Sequence, residues 1–132
     1  MPHLFIDYAA GLEAYLDMGA FCAALRDALA GTGVFSPDGI RVRAHRADHA
    51  VIADGAEPYG YIDMILRIGA GREAALRERV AEEIYAAAER EVAAHCAALP
   101  VMLSLEVQEI AARFSVKRLN TVRSRIDARG GR

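Results

Sequence analysis

Long apolar runs, closely spaced cysteines and a basic leader are all missing from this chain of 132 residues. No stretch approaches the roughly 18 consecutive apolar residues that a membrane-spanning helix needs. The opening MPHLFIDY has neither the basic start nor the apolar run of a secretory signal. Cysteine occurs only as Cys22 and Cys96, which form no metal-spaced pair and fall in helical patterns. They read as buried free thiols of a reducing compartment, so a cytoplasmic protein is expected. What the chain does have is a soluble globular composition, 54% hydrophobic and 26% charged, in a length typical of one domain. Alanine supplies much of the apolar share, which predicts a helix-rich core.

Net charge is close to balance at −2, but it is unevenly placed. From Arg113 to Arg132 there are seven basic residues against the single acid Asp127, leaving about −8 on the rest. A basic tail can contact nucleic acid. Here only Phe114 offers a base-stacking surface, and a solvated or subunit-wrapping tail is the better reading.

Periodicity predicts strand–helix–strand twice. Residues 2–8 alternate Leu4, Ile6 and Tyr8 against His3, Phe5 and Asp7. A helix is expected from Asp17 to Ala30, with Phe21, Leu25, Ala28 and Leu29 as its stripe and Gly31 ending it. GIRVRAHR, residues 39–46, then alternates as a strand, and the turn-rich ADGAEPY follows at 53–59. The second cycle runs through the strand YGYIDMILRI, the glycine turn GAGR at 69–72 and a long helix over 73–97. It closes on the strand VMLSLEVQEI after Pro100. The expected architecture is α+β: a duplicated βαβ whose two helices cover one face of a four-stranded sheet, each half having parallel strands. Residues 1–112 make the domain, with halves at about 1–50 and 59–110, and residues 113–132 the tail. The other sheet face is expected to carry branched apolar residues that a second subunit covers.

Three residues carry candidate chemistry. Pro2 can start a strand harmlessly. If Met1 is removed, it also becomes a secondary amine on a rigid strand. An α-amine titrates near ~8, and burial or a neighbouring arginine lowers that value, producing a neutral base at physiological pH. Parallel pairing of residues 2–8 with 40–46 brings Arg41 near Pro2, where its guanidinium can hold a carboxylate in a fork. Arg72 closes the GAGR turn at the start of a helix, whose free N–H groups favour an anion. His45 and His49 have a helical metal spacing but lie in a strand reading, about 13 Å apart, and are set aside.

These stretches together resemble the 5-carboxymethyl-2-hydroxymuconate isomerase family of the tautomerase superfamily, whose members use an amino-terminal proline. The resemblance rests on MPH, GTGVFSPDGIRVRAH at 31–45, ADG at 53–55 and YIDMILRIGAGR at 61–72. It runs from residue 1 to about 110, and the tail matches only loosely, around Lys117 and Asn120. It implies a tautomerase-like fold assembled as a homotrimer with sites near subunit contacts. It also implies a catabolic role in homoprotocatechuate degradation, needing neither a metal nor an organic cofactor. Pro2 then corresponds to the catalytic base, and Arg41 and Arg72 to the arginines that hold carboxylates or polarise the developing oxygen. Two other readings stay open: a sister tautomerase acting on another enol or oxo acid, and a non-catalytic ligand-binding module on the same scaffold.

Overall fold

The computed structural model describes residues 1–130. Arg132, one of the seven basic tail residues, lies outside the described residues, as does Gly131. The strands are β1 (His3–Ala9), β2 (Arg41–Ala47), β3 (Gly60–Gly69) and β4 (Val101–Ile110). The helices are α1 (Met18–Gly31), α2 (Ala74–His95) and a short α3 (Thr121–Ala128). Both expected βαβ units are present, and their ends agree with the sequence reading to within about two residues.

The strand order is β2-β1-β3-β4. β2 runs parallel to β1 with Arg41 opposite His3, and β4 runs parallel to β3 with Val101 opposite Gly60. The two halves meet in the middle, where β1 and β3 are antiparallel and His3 faces Arg67. That central pairing lays the start of β1 against the end of β3.

Alternation decides which side chains go inward. Leu4, Ile6, Ile62, Met64, Leu66 and Ile68 are buried beneath Phe21, Leu25 and Leu29 of α1 and Val80, Ile84 and Ala88 of α2. Burying each large side chain contributes roughly 1.5–3 kcal/mol, offsetting the entropy of ordering the chain. Asp17 caps α1 by accepting from the Ala20 N–H at 3.1 Å. This helix ends at Gly31, as expected. Thr32 is the cap, and the positive φ falls on Gly33 at 73°. A 3-10 turn over Ala10–Ala14, not anticipated from the sequence, buries Leu12.

The face away from the helices differs from the expected branched apolar surface. Its large apolar and aromatic side chains include Phe5, Tyr61, Ile65, an exposed Met102 and Ile110, set among His3, Asp7, Arg43, Asp63, Arg67, Ser104 and Glu106. Arg43 lies over Phe5 with its guanidinium carbon 3.8 Å from the ring centroid. Period-two alternation places polar residues there, and arginine stems shield the few apolar ones. Among the described residues, no helix is long and apolar enough to cross a membrane.

Candidate active site

Pro2 is buried immediately before β1, and its carbonyl accepts the Arg41 N–H at 3.1 Å. This bond extends the β1–β2 ladder by one step and ties the amino end of the chain to Arg41. The Arg41 side chain turns to its cross-strand neighbour, with Nη1 2.6 Å from His3 Nε2 and 3.1 Å from Nδ1. Burial, followed by the charges of Arg41, Arg67 and Arg43, pushes the His3 imidazole down to about 4. His3 is therefore neutral at physiological pH, with a lone pair for the Arg41 guanidinium.

Arg72 reaches the same end of the sheet from the other half. The antiparallel β1–β3 register delivers the close of β3 beside the start of β1, and the turn after it needs Gly71 at φ 105°. Arg72 stands one residue before Glu73, the cap of α2, rather than inside the helix. Its Nη1 donates to the Gly69 carbonyl at 3.1 Å, and its guanidinium carbon sits 5.3 Å from the ring centroid of the buried Phe35. These two contacts hold a long side chain that would otherwise be free to turn into solvent.

The third wall is a 3-10 turn over Pro37–Gly39. A Cβ on Gly39 would lie 3.2 Å from Met1 Cα and Cγ, a tight contact that glycine avoids where the turn lies against the start of the chain. Next to it, the Asp38 side chain is only 6% exposed, and its carboxylate accepts from Ser36, Asn120 and Arg123. Hydrogen bonds from Ser36 and then Arg123 hold that carboxyl below its usual range.

The electrostatics of the amino group express this enclosure. The amine of Met1, one residue before Pro2, has its pKa lowered from the ordinary 8.0 first by burial, then by Lys117, Arg72 and Arg41, with Asp38 acting in the opposite sense. Three cations thus act on the end of the chain against one neighbouring acid.

Pro2, Arg41 and Arg72, chosen from the sequence, lie together at one end of the sheet. Lys117, Asp38, Asn120 and Arg123 were not chosen. Asn120 and Arg123 follow Asp38 by 82 and 85 residues, a separation that no local pattern bridges. The available signal was the faint match at Lys117 and Asn120 within an otherwise unmatched tail.

A family model described as 5-carboxymethyl-2-hydroxymuconate isomerase matches residues 2–126, so the match continues through most of the tail. The 5-carboxymethyl-2-hydroxymuconate Delta-isomerase of Escherichia coli is 31% identical over 120 residues, covering 91% of this chain and 95% of that protein. A crystal structure of a 5-carboxymethyl-2-hydroxymuconate delta-isomerase superposes with a TM-score of 0.86 at 33% identity. That superposition covers 96% of this chain and 93% of the other. A fused 4-OT protein described as a symmetric trimer shares the fold, with a TM-score of 0.60, 17% identity and coverage of 88% and 93%.

Proposed function

The chain belongs to the 5-carboxymethyl-2-hydroxymuconate isomerase family, and from that premise we propose that it ketonises a dienol polycarboxylate through Pro2 once Met1 has been removed. The carrying observation is that Arg41, whose N–H donates to the Pro2 carbonyl at 3.1 Å, and Arg72, brought from the other half by the β1–β3 register, meet at the end of the chain where Pro2 lies. With Met1 in place the Pro2 nitrogen is an amide and has no basicity. Without Met1, the nitrogen becomes a secondary amine facing the room beside Gly39 that Met1 occupies.

The neutral amine takes the enol O–H proton, and the electron pair left on oxygen spreads along the conjugated chain. Arg41 and Arg72 bind carboxylates and stabilise the dienolate charge as it forms. The prolinium then returns the proton to the distal carbon, completing an isomerisation in which one group serves as both base and acid. The cations favour the neutral amine before the first transfer. After it, they make the prolinium a willing donor.

We further propose that the protein works as a homotrimer in the cytoplasm. The exposed sheet face with Phe5, Ile65 and Met102 supports a covering subunit, as does the trimeric description of the fused 4-OT protein. Cys22 and Cys96 are free thiols, in keeping with a reducing compartment. In this reading residues 1–112 form the catalytic body and the segment from 113 onward serves its site.

The test combines intact mass with kinetics on a tricarboxylate dienol and a monocarboxylate enol. The expected mass is that of a chain lacking Met1, and Pro2→Ala lowers kcat/KM by about 100-fold or more. Retained Met1, or a Pro2→Ala enzyme as active as the parent, would overturn the mechanism. A preference for the monocarboxylate would point instead to the sister-tautomerase reading.

A further inference from the structure

Arg41 is held at the site without an acid. Among the described residues no carboxylate pairs with its guanidinium. Its contact is a ring instead. Nη1 lies 2.6 Å from Nε2 of His3, its cross-strand neighbour, and 3.1 Å from Nδ1. A guanidinium has only hydrogens to offer, so the nearer nitrogen presents a lone pair and the ring carries its proton on Nδ1. The imidazole is itself held in place. It lies nearly parallel to the Phe5 ring, at 11° with centroids 6.2 Å apart, and Arg43 covers Phe5 from β2. Backbone pairing fixes the base of Arg41 through its N–H to the Pro2 carbonyl. The direction of the long side chain is left for His3 to set.

We propose that His3 is the positioning residue of Arg41: its imidazole accepts from the guanidinium and aims the remaining N–H donors, and, being no carboxylate, it leaves the cation uncompensated for an incoming carboxylate. The proposal rests on the reading of Arg41 as a carboxylate-holding residue. An acid in place of His3 would also orient the arginine, but the ion pair would weaken its attraction for a ligand. An apolar residue would leave the charge and lose the aim. Burial, then Arg41, Arg67 and Arg43, keep the imidazole a lone-pair acceptor down to about pH 4.

The experiment uses the full-length protein, calorimetric titration with glutarate (a dicarboxylate that cannot ketonise) and turnover of a tricarboxylate dienol. His3→Ala is expected to lose about tenfold in glutarate affinity and to raise KM more than it lowers kcat. His3→Gln, whose amide oxygen is an uncharged acceptor, should restore most of the loss. His3→Glu should bind no better than His3→Ala, although it gives Arg41 a partner. Combining His3→Ala with Arg41→Ala should add little beyond Arg41→Ala alone, because both remove one interaction. Nitrogen NMR of the parent should show His3 protonated on Nδ1 and bare on Nε2, with the proton moving toward Nε2 in Arg41→Ala.

Full glutarate affinity in His3→Ala, a His3→Glu protein that binds as well as His3→Gln, full additivity in the double variant, or a parent ring protonated on Nε2 would overturn the proposal. So would a parent that binds no glutarate. The ring spectrum keeps the test sound if His3→Ala fails to fold. Failure of the proline chemistry reads out separately, as unaltered turnover in Pro2→Ala.

Discussion

Arg41 and His3 stand directly opposite each other on parallel strands, with the guanidinium Nη1 2.6 Å from the imidazole Nε2. This pair ties a candidate catalytic arginine to a neutral histidine at the edge of the site. A protonated imidazole there would meet Arg41, Arg67 and Arg43 as like charges.

Stability should therefore depend on pH through His3. Its folded value of about 4 lies below the ordinary 6.5, so between those values the unfolded chain binds a proton that the folded one refuses. Stability is expected to be intact above pH 6.5 and to fall as the pH drops from there toward 4. NMR titration of the His3 ring and denaturation midpoints across that window measure both quantities. Arg41→Ala should move the His3 titration upward. Ordinary titration of His3 in the parent protein would show that its neutral state is wrongly assigned.

Arg41→Ala and Arg72→Ala should each lower kcat/KM by about 100-fold, with the circular dichroism spectrum unchanged. Arg72→Ala should also displace the acid limb of the pH–rate profile to higher pH. The reason is that its guanidinium helps lower the pKa of the Met1 amine and is expected to act in the same sense on the Pro2 amine one residue further along. An arginine whose removal leaves efficiency intact would belong to the solvated surface instead.

Gly60→Ala tests packing where the second half begins. An added Cβ would lie 2.9 Å from Leu12 Cδ1 and 3.0 Å from Leu99 Cδ2, against a Leu12 side chain that is fully buried. Overpacking of this kind costs about 1–3 kcal/mol. Gly31→Ala is the control, since nothing lies within 4 Å of its Cβ, and a helical alanine there should stabilise by about 0.5–1 kcal/mol. Equal melting temperatures for the two variants would contradict the crowding at Gly60.

Strand alternation made the core strands legible, because Leu4 and Ile6, and Ile62 through Ile68, repeat every second residue over a buried face. The long helices were legible from their four-residue spacing. The turn that buries Leu12 was not, since a 3-10 turn of five residues is too short to establish a period. Pro2, Arg41 and Arg72 were legible from local pattern: a proline opening a strand, an arginine within an alternating strand that pairs near it, and an arginine closing a glycine turn. The tail read as a basic, solvated stretch. Its tie to the site depends on one nearly covered carboxylate, Asp38, in the turn just before β2, 82 residues from its partner Asn120.

The antiparallel junction of β1 and β3 also has a consequence for how the site comes into being during folding. Each βαβ half closes its own strand pair over a moderate loop, whereas the β1–β3 seam joins His3 to Arg67 across the length of the first half. Arg41 belongs to one side of that seam and Arg72 to the other. An intermediate holding the first half alone would have the amino end beside Arg41 but without Arg72. The full cationic surroundings of the amino end are therefore completed when the halves dock rather than when secondary structure forms.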